Sequence, residues 1–323
     1  MRERRRKKTM AVDNVSVRQA YNEFVQEKKA MNLSELTLST YELHIKSFVD
    51  SNEFWDMSTS LLNKDLYQWW IEDLKEDENK KDVTVTSYAR SVRAFLYWLQ
   101  DNQYMDVCPL QLPKYQHTIK VCYTDDELAT LLRKPKTCSE VEYQTWVFIN
   151  LICATGMRLS SALNIQVSDI QRKEHSIYVQ YTKNNKAQVF FVNDDMLSIL
   201  SKYIIQFELS DNDFLFCTAE KKQLAKRTMQ DNVATYNRKL GVEKTSIHLM
   251  RHTFAKNYYI KTKDIYSLSK ILGHSTIGTT EKYLSDLGLN LANAVAYNEL
   301  YPLSRTFLVF SIHHFGHTTF GTA

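Results

Sequence analysis

Residues 106–124 read DVCPLQLPKYQHTIKVCYT. Two of the chain's four prolines, Pro109 and Pro113, fall here, and neither a helical nor a strand period survives. Proline fixes φ and disfavours helix in the residue before it, so the stretch is expected to be an extended linker between two folding units. Everything upstream and downstream carries clear periodicity.

Upstream, residues 16–31, 34–50, 58–75 and 82–101 each show helical spacing. In SELTLSTYELHIKSFVDSN, Leu38, Tyr41, Ile45, Phe48 and Val49 recur at intervals of three and four. Val85, Tyr88, Val92, Phe95, Leu96 and Leu99 do the same in the fourth segment. Four such helices make an all-α unit.

Downstream, Thr124 and Glu127 have the spacing of a capping box that opens a second unit. An apolar helix near 141–153 leads into ATGMRLSSALNI. SIYVQY and QVFFV then read as short strands around TKNNKA, a hairpin with its tip at 183–187, because Asn-Asn tolerates left-handed backbone. Helices resume from about 194 and again at 225–240, 248–260, 264–272 and 279–297. The predicted organisation is a basic tail (1–15), an N-terminal four-helix domain (16–105), a linker (106–120), a second domain (121–300) and a C-terminal tail (301–323). The fold class is mainly α, the second domain being mixed but mostly helical with a small β-sheet.

Composition narrows the class. A chain of 323 residues with 44% hydrophobic and 24% charged residues has material for two cores. Only 7 glycines argue against a turn-rich β fold. Five cysteines, odd in number and without C-x-x-C spacing, read as reduced thiols, so a cytoplasmic location is expected. No apolar run is long enough for a membrane span. The net charge of +4 is localised: residues 2–8 hold six Arg or Lys against one Glu, so the remainder is close to −1. A polyanionic partner would therefore meet the folded body at a local patch, with nonspecific contact from the tail.

Five short pieces stand out in order. Arg158 lies in TGMRLS; Lys183 and Lys186 share the hairpin turn; His248 and Arg251, three apart in HLMRHTFA, project from one helical face. Asp264 opens a helix that Gly273 stops, placing His274 just beyond its end, and Tyr283 follows nine residues later. The ordered set strongly resembles the tyrosine recombinases, the phage integrase family. TGMRLS, HLMRHTFA, LGHSTIGTTEKY and the lysine-bearing TKNNK turn carry the likeness, with 23 residues from Arg251 to His274. It covers about residues 120–300; the N-terminal unit resembles that family's core-binding (SAM-like) domain in shape and length only.

The resemblance implies a site-specific recombinase with Tyr283 as nucleophile and Arg158, Lys183, His248, Arg251 and His274 around the scissile phosphate. The chemistry suits these residue types. A phenol of pKa near 10 is neutral at pH 7, and two guanidinium forks match the oxygens on which charge builds. A lysine protonates the leaving 5′ oxygen, His248 accepts the tyrosine proton, and His274 hydrogen-bonds the phosphate. Either turn lysine reaches; the family's Gly-Lys-Gly-x-Lys pattern selects Lys183. A 3′-phosphotyrosyl bond conserves the phosphodiester's energy, so no ATP, metal or other cofactor is expected. Also implied are double-stranded recombination sites, a homotetramer built by exchange of a C-terminal helix (286–300), a Holliday junction, an accessory directionality factor and no membrane partner. Arg90, Arg93, Lys186, Lys226 and Arg227 are candidate DNA contacts.

The chain departs from the family at Ser161, where an acid is common, and at Thr182 and Asn184, which replace glycines beside Lys183. His313, His314 and His317 are too few for a metal site without a further ligand. The rival readings are a type IB topoisomerase-like DNA-relaxing enzyme and a non-catalytic DNA-binding regulator.

Overall fold

The computed structural model describes residues 15–115, 121–180 and 187–289. It divides into two units, Met1–His117 and Thr118–Ala323. Among the described residues no helix is long and apolar enough to cross a membrane.

The first unit is built from α1 (Val17–Ala30), α2 (Glu35–Asp50), α3 (Lys64–Glu76) and α4 (Asp82–Asp101). Ser16, Ser34 and Asn63 cap the first three, each side chain accepting from a backbone N–H of the first turn. The third helix starts later than its apolar spacing predicts. Ser58 has the composition of a helix cap, but it caps a single 3₁₀ turn at Thr59–Leu61, and Asn63 opens the α-helix. Phe24 packs edge-to-face on Tyr41, Phe95 and Trp98, and Phe48 packs the same way on Trp70. These are favoured aromatic geometries, worth about 0.5–1.5 kcal/mol a pair beyond buried area. The proline-bearing segment 106–115 has no regular structure, yet Leu110 is buried and Thr86 Oγ1 donates to Pro113 O at 3.2 Å. It lies along α4 of the first unit.

The second unit opens with α5 (Asp125–Leu132), where Thr124 and Glu127 form both hydrogen bonds of a capping box. Its centre is α6 (Glu140–Thr155), buried on nearly all sides from Tyr143 to Ile152. After α7 (Leu159–Leu163), three antiparallel strands β1 (Ile170–Gln171), β2 (Ser176–Val179) and β3 (Gln188–Phe191) form a sheet in the order β1-β2-β3. Ile177 pairs with Phe190 and Val179 with Gln188; Ile177, Val179 and Phe190 face the core. The predicted hairpin tip, with Lys183 and Lys186, lies outside the described residues. α8 (Asp194–Gln206), α9 (Lys226–Lys239) and α10 (Ile247–Thr262) pack around α6, and α11 (Ile265–Ile271) and α12 (Ile277–Ser285) complete the unit. The fold is mostly helical with one small sheet.

A separate apolar cluster forms where α10, α11 and α12 meet. Ala255, Tyr259, Leu268, Leu272 and Leu284 are its buried members, and Tyr283 packs against it. Tyr283 thus rides on a small satellite core, apart from the large one around α6. The helix predicted to run to 297 stops at Ser285 instead, with Asp286 as its C-cap and Gly288 in the left-handed region at φ +75°, which breaks the helical path. The rest of that stretch, and the tail containing His313, His314 and His317, fall outside the described residues beyond 289.

Candidate active site

Two helices stopped by glycine and one continuous helix bring the predicted residues together. α6 ends at Gly156, whose φ of +63° is left-handed. The next residues leave in extended conformation, so Arg158 sits at the N-cap of α7. α11 ends in the same way: Gly273 has φ +60°, and the chain turns out of the helix into His274. α10, capped by Ser246, carries His248, Arg251 and His252 on its first two turns.

Arg251 locks the two stops to each other. Its guanidinium is 97% shielded and donates through Nη1 to Gly156 O at 2.6 Å and through Nη2 to Leu272 O at 2.7 Å. Two of five N–H groups are thereby engaged, leaving three. Burial first, and then the charge of Arg158, pushes Arg251 down to about 10, still well above neutrality. Burial likewise lowers Arg158, and Tyr283 partly opposes this. Among the described residues, none of the charges acting on Arg158, Arg251 or His274 is a carboxylate. At the position where the family resemblance leads one to expect an acid, Ser161 is buried instead. Two like charges thus stand close together, the buried Arg251 held by two neutral carbonyls and Arg158 half-buried beside it.

Tyr283 lies against this pair. Its hydroxyl is buried and faces the Arg251 guanidinium without the alignment of a full hydrogen bond. Burial pushes the phenol up to about 12, while Arg251 and Arg158 pull the other way. Three imidazoles surround its ring. His274 stands edge-on with centroids 5.5 Å apart, His248 edge-on at 6.5 Å, and His252 stacks on it at 4.4 Å and 19°. His274 Nδ1 is hydrogen-bonded to the buried Thr280 hydroxyl at 2.9 Å, which leaves Nε2 as the nitrogen available to a ligand. Burial and the two arginines depress it to about 4, so the ring is neutral at pH 7.

Arg158, His248, Arg251, His274 and Tyr283 therefore converge. His252 was not singled out in the sequence, although its spacing of four from His248 puts the two on one helical face; their rings touch at 4.4 Å. Among the candidate DNA contacts, Arg90, Lys226 and Arg227 are exposed, Arg227 pairing with Asp231 one turn on. Arg93 is half-buried, lying over the Tyr97 ring and donating to Leu110 O at 3.5 Å. Lys183 and Lys186 are outside the described residues.

The sequence profile of the phage integrase family matches residues 122–287. The chain belongs to that family, and is thereby an enzyme of the tyrosine recombinase class. Tyrosine recombinase XerD of Staphylococcus epidermidis is 24% identical over 273 residues, covering 81% of this chain and 91% of that protein. Tyrosine recombinase XerA of Saccharolobus solfataricus is 25% identical over 274 residues, covering 81% and 87%. Solved structures share the fold. The XerH site-specific recombinase bound to a palindromic difH substrate has a TM-score of 0.67 at 21% identity, covering 84% of this chain and 82% of that one. The Tn1549 transposon integrase in complex with transposon right-end DNA has 0.69 at 18% identity, covering 88% and 99%.

Proposed function

We propose that this protein is a site-specific recombinase that cuts and rejoins duplex DNA through Tyr283. The observation that carries this reading is the Arg158–Arg251 pair, Arg251 buried and Arg158 half-buried, facing a buried phenol, with no carboxylate among the described residues' charges that act on it. Such a site is short of one anion, and planar guanidinium forks fit a phosphodiester best. DNA is the partner that supplies it; the related structures named above are complexes with recombination-site and transposon-end DNA. On the exposed surface, α9 begins without a side-chain cap and with Lys226 and Arg227 in place of acids, an arrangement that favours a phosphate at that helix end.

Tyr283 Oη attacks phosphorus, the bond from phosphorus to the 5′ oxygen breaks, and a 3′-phosphotyrosyl bond forms. Arg158, Arg251 and Nε2 of His274 hold the non-bridging oxygens. In the tautomer that accepts from the Thr280 hydroxyl at Nδ1, the other nitrogen carries the proton and serves as a neutral donor. A phenol raised to about 12 gives up its proton only with help. His252 offers Tyr283 the face of its ring rather than a nitrogen lone pair, which leaves His248 as the base. Lys183 protonates the leaving 5′ oxygen. A second strand's 5′ hydroxyl reverses the step without ATP, and two sequential exchanges in a tetramer, through a Holliday junction, complete recombination.

Nicked duplexes tiling the DNA that flanks the coding sequence provide the test. One of them should trap a covalent protein–DNA adduct, and Tyr283→Phe should abolish it. An adduct undiminished in Tyr283→Phe refutes the reading. Relaxation of supercoiled plasmids lacking the trapped site would instead favour a topoisomerase, and site binding without any adduct would favour a regulator.

A further inference from the structure

We infer that Gln188 is a positioning residue of the active centre, gripping the end of α11 so that Leu272, Gly273 and His274 stay registered against the two arginines. The inference rests on the recombinase reading above. Gln188 is the first residue of β3 and pairs with Val179 across the sheet, so its Cα is fixed by the ladder. From there its Nε2 donates to Ile271 O at 2.5 Å and to Lys270 O at 3.3 Å, two of the last carbonyls of α11, of which Lys270 O also accepts from the N–H of Gly273 at 2.9 Å. The next carbonyl, Leu272 O, accepts from Arg251. Three consecutive carbonyls are thus held from outside the helix, the first two by a strand and the third by an active-site arginine.

The rest of the side chain is equally placed. A Cβ on Gly273 would lie 2.7 Å from Gln188 Oε1 and 3.4 Å from Arg158 Nη1, so the glutamine, the glycine stop and the first arginine meet at one point. The residue type fits the task. A single amide nitrogen carries two hydrogens, one for each carbonyl, and the group is neutral. Lysine or arginine would add a third cation beside Arg158 and Arg251. Glutamate would turn acceptors toward carbonyls, and methionine would fill the space with no donor. Gln188 therefore acts on the phosphate through Arg251, Arg158 and His274, without touching it.

The test uses the full-length protein and a duplex on which it forms the adduct, prepared with either an ordinary scissile phosphate or a methylphosphonate there. The methylphosphonate replaces one charged oxygen by a methyl group and so leaves less anionic charge for the arginines to hold. Gln188→Ala and the isosteric Gln188→Met should each slow single-turnover adduct formation by about tenfold on the phosphate, the scale of a small misplacement of reacting groups. On the methylphosphonate the gap to wild type should close, and the melting temperature of Gln188→Met should stay near that of wild type. An undiminished rate for Gln188→Met, or an equal defect on both duplexes, overturns the assignment. So does a defect cured by sulfur in the bridging 5′ position, which would place the effect on leaving-group protonation. These results leave the nucleophile untouched. If Tyr283→Phe still forms the adduct, the recombinase reading itself falls, and this assignment with it.

Discussion

The turns at Gly156 and Gly273 are built alike and secured differently. Each ends a helix with a left-handed glycine, gives a carbonyl at or next to that glycine to Arg251, and presents an active-site residue directly or two positions later. The space where the missing Cβ would be is filled in opposite ways. At Gly156 it is occupied by the Phe254 ring, whose Cδ1 would stand 2.2 Å from an added methyl. At Gly273 it is occupied by polar ends, those of Gln188 and Arg158. The first turn is held by packing, which yields little. The second is held by hydrogen bonds from a strand, which can be removed singly with the backbone left in place. Arg158 therefore sits on the rigid side of the site and His274 on the adjustable side.

Breaking the link between the turns should have the largest effect. Lysine at position 251 cannot present two coplanar N–H groups to Gly156 O and Leu272 O and still offer a fork to phosphate. Arg251→Lys is expected to lower single-turnover adduct formation by about 10²–10³. Next comes Gly156→Ala, where a left-handed alanine and an overlap with Phe254 should together cost about 2–4 kcal/mol in denaturant unfolding. Adding Phe254→Ala should return part of that loss, a non-additive result expected for groups in contact. If Gly156→Ala unfolds like wild type, the first turn is not held by packing.

Gly273→Ala should separate the two turns most clearly. Its backbone strain of about 1–2 kcal/mol is similar to that at Gly156, but Gln188 and Arg158 have room to shift. Stability should fall less than for Gly156→Ala while adduct formation falls more in proportion. The reverse ranking would contradict the distinction drawn here. A smaller change is expected at His252, which braces the segment that follows the second turn. The stack on Tyr283 is worth about 0.5–1.5 kcal/mol. His252→Ala should reduce adduct formation by a few-fold, and His252→Phe, which keeps a ring against the phenol, should retain most of it.

Much of this was legible in the sequence because it is local. A capping box at Thr124, a glycine stop at Gly273 and a three-residue spacing from His248 to Arg251 need only neighbours along the chain. Gln188 was illegible for the opposite reason: its partners Lys270 and Ile271 are 82 and 83 residues away, and nothing local marks a glutamine as a clamp. Arg93 shows the same limit: a candidate DNA contact from sequence, it is turned toward Leu110 by the packing of segment 106–115, 17 residues further on. Ser161 could be noticed as a departure, but the way Arg251 is held, by one carbonyl from each glycine turn, needed both turns in view.

A separate effect, read in stability rather than in rate, concerns charge, and it distinguishes the residues that the two turns present. Arg158 keeps its proton across the working range, whereas His274 is neutral, depressed by burial and by Arg251 and Arg158 to about 4 from its usual 6.5. Between those values the unfolded chain binds a proton at position 274 that the folded chain refuses. Stability contributed by the neutral ring is therefore fully present above about pH 6.5 and is lost as the pH falls toward 4. His274→Asn removes this titration and keeps a polar side chain beside Thr280. The melting temperature of wild type should fall more steeply than that of His274→Asn between pH 6.5 and pH 4, with the two curves parallel above. Parallel curves throughout would mean that His274 meets solvent more freely than its place behind the second turn implies.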